Sequence, residues 1–151
     1  MSISGNICSG TVTHQFTVGG RTGIIIATGI RNKRINILNN HISNDNPLLN
    51  TSPAVNMDGI KIFLRSGSSE YLEDITIYNN LIDFRAVNET MYGISLNSPN
   101  TTGLDLSSNR IRAGSRGMLI DGVSDSIVSK NKVYGTVSSA FTLSTSVSAS
   151  N

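Results

Sequence analysis

Apolar residues recur along this chain in two short phrases, and neither has the 3.6-residue spacing of a helix. The first phrase is apolar-x-apolar, a few polar residues, an asparagine, and another apolar residue two positions later. It reads Ile35-Asn36-Ile37-Leu38-Asn39-Asn40-His41-Ile42, and returns as Ile75-Thr76-Ile77-Tyr78-Asn79-Asn80-Leu81-Ile82. A third copy is Leu104-Asp105-Leu106-Ser107-Ser108-Asn109-Arg110-Ile111, and a weaker fourth is Ser126-Ile127-Val128-Ser129-Lys130-Asn131-Lys132-Val133. Ile3, Asn6 and Cys8 occupy the same slots at the start. The second phrase alternates with the first: Gly23-Ile24-Ile25-Ile26, Gly59-Ile60-Lys61-Ile62, Gly93-Ile94-Ser95-Leu96, Gly117-Met118-Leu119-Ile120 and Ala140-Phe141-Thr142-Leu143. In a strand, period-two alternation puts Ile24/Ile26, Ile60/Ile62, Ile94/Leu96, Met118/Ile120 and Phe141/Leu143 on one face. Ile25, Lys61, Ser95, Leu119 and Thr142 then face the other way.

Successive asparagines of the first phrase are 34, 40, 29 and 22 residues apart, and the Gly-type phrases 36, 34, 24 and 23. Strands repeating at such intervals cannot pair as hairpins and still keep like residues in register. If each repeat lies on the one before it, like positions stack about 4.8 Å apart and the strands pair in parallel. The recurring asparagine suits a sharp corner. It tolerates the left-handed region, bonds locally, and its amide can bond to amides stacked above and below.

Composition agrees with this reading. Ile occurs 18 times, Ser 22, Asn 17, Thr 13 and Gly 14, while charged residues make up 15%. β-Branched residues fit pleated strands, and Asn, Gly and Ser fit the corners between them. One domain spanning 1–151 is expected, all-β, a solenoid of about five coils, with no disulfide because Cys8 is the single cysteine. The net charge of +2 has no long run of either sign. Arg31-Asn32-Lys33-Arg34 reads as a solvated corner, so nucleic acid is not the expected partner. No apolar run of membrane-spanning length and no signal-like start is seen, so no membrane partner is expected.

With these phrases covering nearly the whole chain, the sequence resembles the right-handed parallel β-helix proteins of the pectin-lyase-like superfold. That group includes pectate lyases, polygalacturonases, alginate epimerases and bacteriophage tailspikes. The resemblance implies a right-handed solenoid, in agreement with the general handedness of parallel crossovers. No lyase or polygalacturonase motif accompanies it. The absence of an amphipathic capping segment before Ile3, and the polar tail from Ser144 to Asn151, suggest a segment of a larger or oligomeric protein. Among the members of the group, the trimeric tailspikes fit best.

Coil length varies because of insertions, and the long ones fall at one corner: Ser9 to Thr22, Ser43 to Asp58 and Asp83 to Tyr92. Another, Leu64 to Asp74, falls at the following corner. Loops gathered on one side of a repetitive scaffold are where binding residues usually sit. Glycoside hydrolysis needs two carboxyl groups across the scissile bond. Asp58, Asp83 and Glu89 at the loop-bearing corner are the catalytic candidates, and Tyr71, Phe84, Arg85 and Tyr92 the substrate-binding ones. Glu70, Glu73 and Asp74 form a second acidic cluster. No metal ligand set is indicated. Calcium is allowed by charge but by no diagnostic ligand spacing, so no cofactor is expected.

The leading expectation is a tailspike-like module on a virion surface or outside the cell, homotrimeric, binding a bacterial surface polysaccharide, with hydrolysis of that polysaccharide as the enzymatic option. One alternative is a non-catalytic structural or trimerisation module. The other is a calcium-dependent polysaccharide lyase or epimerase, acting on uronic-acid polymers.

Overall fold

In a computed structural model of the chain, the residues described are 1–9, 21–28, 32–44, 57–64, 71–84, 92–112, 116–135 and 139–143. They form strands and short turns, with no helix among them. The strands, in chain order, are β1 (Ser2–Ser4), β2 (Ile7–Ser9), β3 (Arg21–Thr28), β4 (Asn32–Leu38) and β5 (His41–Asn44). Then come β6 (Met57–Leu64), β7 (Leu72–Tyr78), β8 (Leu81–Phe84), β9 (Tyr92–Ser107) and β10 (Arg110–Arg112). The last four are β11 (Arg116–Ser124), β12 (Ile127–Ser129), β13 (Lys132–Tyr134) and β14 (Ser139–Leu143). The fold is thus all-β, with parallel strands in a strongly curled sheet.

The pairing follows the phrases. Each Gly-type phrase lies on the next, with Ile24 opposite Ile60, Ile60 opposite Ile94, Ile94 opposite Met118, and Met118 opposite Phe141. The apolar-x-apolar positions stack likewise: Ile3 on Ile37, Ile37 on Ile77, and Ile77 on Leu106. The apolar residue beyond the asparagine forms a smaller five-stranded sheet, ordered β13-β10-β8-β5-β2. In it, Cys8, Ile42, Ile82, Ile111 and Val133 succeed one another. The 16-residue β9 joins the two larger ladders: its first part pairs with β6, its second with β7 and β12, and β11 pairs along both.

Alternation puts one aliphatic side chain of each ladder inward at every second residue. Ile37, Ile60, Ile62, Ile75, Ile77, Ile82, Ile94, Leu96, Ile111, Met118 and Ile120 are all fully buried. Phe141 and Leu143, expected on the same face, are about half exposed, because β14 is the last strand of its ladder and nothing among the described residues pairs with its far edge.

The glycine of each Gly-type phrase is explained by space. A Cβ on Gly23 would collide with Ile42, on Gly59 with Ile82, on Gly93 with Ile111, and on Gly117 with Val133. Each would also crowd a backbone oxygen of the next repeat. The missing side chain therefore lets the two sheets approach until the isoleucine methyls of one touch the backbone of the other.

The asparagine ladder is as expected in its bonding but not in its backbone. Asn6, Asn40, Asn80, Asn109 and Asn131 form one column. Each Nδ2 donates to the next Oδ1, at 3.1 Å for the first pair and 2.9 Å for the other three. The backbone N–H of each also donates to that same Oδ1, at 2.9–3.1 Å. The second hydrogen of Nδ2 goes to a carbonyl of the preceding repeat: Ile3, Ile37, Ile77 or Leu106. Asn40, Asn80 and Asn109 are nearly inaccessible, so an unpaired amide there would be costly.

The left-handed residue of the corner is the one before. Gly5, Asn39, Asn79, Ser108 and Lys130 have φ between 53° and 66°, whereas the ladder asparagines do not. The expectation that one residue serves both purposes is corrected: the left-handed residue turns the chain, and its successor bonds inward. A second left-handed column, Arg34, Asp74, Gly103 and Asp125, lies five positions before Asn39, Asn79, Ser108 and Lys130 respectively. It bends the chain just before the apolar-x-apolar strand.

Candidate functional site

The residue immediately before each glycine occupies a special place, because the glycine turns inward together with the isoleucine that follows it. Asp58, Tyr92 and Arg116 hold this position in three neighbouring strands, and the register sets Asp58 opposite Tyr92 and Tyr92 opposite Arg116. Two residues after the glycine, Lys61 lies opposite Ser95 on the outward side of the same strands. These five residues form one cluster.

Asp58 is its centre. Although charged, it is only 4% exposed, and its carboxylate is held by three donors. Lys61 Nζ stands 3.1 Å from Oδ2, Ser95 Oγ donates to Oδ2 at 3.3 Å, and the Tyr92 backbone N–H approaches Oδ1 at 3.4 Å. A buried carboxylate needs such partners, and here they come from two strands. Asp58 therefore fixes both the ammonium group of Lys61 and the entry of the chain into β9. Lys61 also lies 5.8 Å from the centre of the Phe63 ring.

Tyr92 and Arg116 form the other half. Arg116 Nη1 donates to Tyr92 Oη at 2.6 Å, and the guanidinium lies 5.4 Å from the ring centroid. The bond orients the ring, and the cation adds attraction to its face. Both side chains are half-buried. The result is a fixed aromatic ring beside the Arg116 guanidinium, with a second cation, Lys61, held on the neighbouring strand by Asp58.

The other candidates fall in different places. Asp83 lies on the five-stranded sheet, with Arg112 Nη1 3.8 Å from its Oδ1. Its neighbour Ile82 packs where a side chain on Gly59 would be, so Asp58 and Asp83 flank one corner from two sheets, each with its own cation. Tyr71 precedes β7, half-buried, at the following corner and not beside Tyr92. Phe84 ends β8 opposite Asn44. Arg85 and Glu89 lie outside the described residues, as does Glu70. Of the second acidic cluster, Glu73 pairs with Lys33, and Asp74 belongs to the left-handed column.

Lys61 and Ser95 complete the cluster without having been singled out as site residues, and Arg116, one of several arginines that the sequence offers as a base or substrate clamp, is placed beside Tyr92 only by the register. The signal was present, since Asp58, Tyr92 and Arg116 each immediately precede a glycine of the repeated phrase. Aligning the phrases by that glycine would have put the three in a row. No protein-family model, curated protein or solved structure matches this chain.

Proposed function

We propose that this chain is a right-handed parallel β-helix module of about five coils, of the tailspike kind, that binds a bacterial surface polysaccharide. The in-register parallel ladders and the continuous asparagine column support the solenoid. The observation that carries the binding reading is the Asp58–Lys61–Ser95–Tyr92–Arg116 cluster. An oriented tyrosine ring offers a flat apolar face to a sugar, while its hydroxyl and the cations of Lys61 and Arg116 offer hydrogen bonds to sugar oxygens; buried Ser95 helps to hold Asp58. Asp58 serves this surface by positioning Lys61 and β9. Its three donors and its burial suit it to that role better than to proton transfer in an open cleft.

Glycan-array binding of the wild-type chain against Tyr92→Ala and Arg116→Ala tests the reading. Each variant is expected to lose most of the signal on the glycans the wild type retains. Equal signals in all three proteins would overturn the reading. Reducing-end release on the bound glycan, abolished in Asp83→Asn, would add hydrolysis to binding.

A second reading, a structural module contacting other subunits at a virion surface or outside the cell, is favoured by one observation. Ile25, Ile127, Phe141 and Leu143 are large apolar side chains 46–61% exposed. A homotrimer covering such residues would show as a threefold mass in light scattering, and a monomer with full glycan binding would remove this reading.

A further inference from the structure

The outer surface of the five-stranded sheet plays no part in the cluster around Asp58, yet it carries a concentration of positive charge that the sequence hides. Residues alternating with Ile42, Ile82, Ile111 and Val133 face outward in two rows across the strands. One row is His41, Leu81, Arg110 and Lys132; the other is Ser43, Asp83, Arg112 and Tyr134. Lys130, in the left-handed column at the edge of this sheet, adds a further cation. Arg110, Arg112, Lys130 and Lys132 are all exposed, as are His41 and Tyr134. Asp83 is the single carboxylate in these rows, and it stands beside Arg112. Among the described residues no carboxylate lies within ion-pair distance of Arg110, Lys130 or Lys132.

Register makes these charges neighbours. Arg110 and Lys132 are directly opposite on adjacent parallel strands, about 4.8 Å apart in backbone. Like charges so placed weaken a sheet, and nothing in the packing requires them. An anion bridging them would remove the repulsion.

Beside them runs a shallow groove of about 290 Å³ lined by Asn39, His41, Asn79, Leu81 and Arg110, next to the ladder amides of Asn40 and Asn80. Asn79 Nδ2 donates to Asn39 Oδ1 at 2.8 Å, and both residues are exposed. Arg110 belongs both to this groove and to the cationic patch. Amides and an imidazole suit sugar hydroxyls, and the guanidinium and ammonium groups suit carboxylates.

We infer that this face is a second glycan-binding surface, selective for an acidic polysaccharide whose chain runs across the strands. Its hydroxyls lie along Asn39, Asn79 and His41, and its carboxylates on Arg110, Lys130 and Lys132. Tyr134 is the single aromatic residue in the two outward rows, so the surface lacks the successive stacking platforms that single-stranded nucleic acid uses. The inference rests on the proposed glycan binding for its choice of ligand but uses none of the same residues.

The test is calorimetric titration of the whole chain with a short glucuronate-containing oligosaccharide, its carboxyl-reduced neutral counterpart, and a single-stranded oligodeoxynucleotide. The wild type is expected to prefer the acidic oligosaccharide to both, with affinity falling as salt rises. R110Q/K132Q is expected to bind the acidic oligosaccharide about tenfold more weakly or worse, to lose the preference for it over the neutral one, and to melt no lower than wild type. Unchanged affinity in R110Q/K132Q, or no wild-type preference for the acidic sugar, would overturn the inference. Tighter binding of the oligodeoxynucleotide would overturn it too, in favour of a nucleic-acid surface. Glycan binding that is lost in Tyr92→Ala but indifferent to R110Q/K132Q would remove this surface and leave the cluster around Tyr92 standing.

Discussion

Replacing Asn80 by alanine removes the middle link of the asparagine column. In the native chain its Nδ2 donates to the Ile37 carbonyl and to Asn109 Oδ1, both at 2.9 Å. Its Oδ1 accepts from the Asn40 backbone N–H at 3.0 Å and from Asn40 Nδ2 at 2.9 Å. Four hydrogen bonds between repeats are lost, each with a net value of about 1 kcal/mol. The losses are unequal in kind. Asn40 Nδ2 keeps the Ile3 carbonyl, and Asn109 Oδ1 keeps the Asn80 backbone N–H, so each retains a partner. The buried Asn40 N–H loses the acceptor its own corner depends on, which raises the cost. A total near 4 kcal/mol follows, a large share of the roughly 5–15 kcal/mol that holds a domain folded. Asn6→Ala is the internal control. It removes the same kind of link at an exposed end, where water replaces the lost partners, and should cost about 1 kcal/mol or less. Urea denaturation followed by circular dichroism measures both. A difference below about 1 kcal/mol between Asn80→Ala and Asn6→Ala would refute the claim that burial of the amide column holds the repeats together.

Two further substitutions test other parts of the structure. Gly93→Ala places a methyl group against Ile111 and the Gly117 carbonyl, and overpacking of this kind should lower stability by about 1–3 kcal/mol or more. Gly5→Ala, where the position is open and only the left-handed backbone resists, should cost about 1–2 kcal/mol; partial relief of Gly93→Ala, but not of Gly5→Ala, by Ile111→Ala, which removes the Cγ2 methyl that the new side chain meets, would separate space from backbone strain. Lys33→Ala removes the partner of Glu73, but the lysine side chain is 47% exposed, so thermal melting should shift by no more than about 1 kcal/mol equivalent.

The repeats were legible because their chemistry is local and periodic. Ile24, Ile60, Ile94 and Met118 share a glycine before them and an alternating partner after them, and that pattern alone implied parallel stacking in register. The five ladder asparagines were likewise fixed to the apolar frame, which made their stacking readable before any coordinates. The backbone role was misplaced by one residue. Asparagine suits both the left-handed conformation and amide bonding, and Asn39-Asn40 and Asn79-Asn80 offer two of them side by side; only the hydrogen-bonding geometry separates the two tasks.

The candidate sites were less readable, because they depend on which side chains of different repeats become neighbours. Tyr92 and Asp58 were named from loop position, yet Asp58 is buried under Lys61 and Ser95, and a buried, fully bonded carboxylate cannot be told from an exposed loop carboxylate by residue type. Arg110 and Lys132 are 22 residues apart in the chain, and a charge count spreads them among acidic residues. Parallel pairing brings them side by side on one outward face. The sequence by itself determined the order of strands and which side chains point inward, since burial of aliphatic groups at a period of two leaves one answer. The tertiary structure decided which polar groups meet, since that depends on distances across repeats of unequal length, which no local pattern encodes.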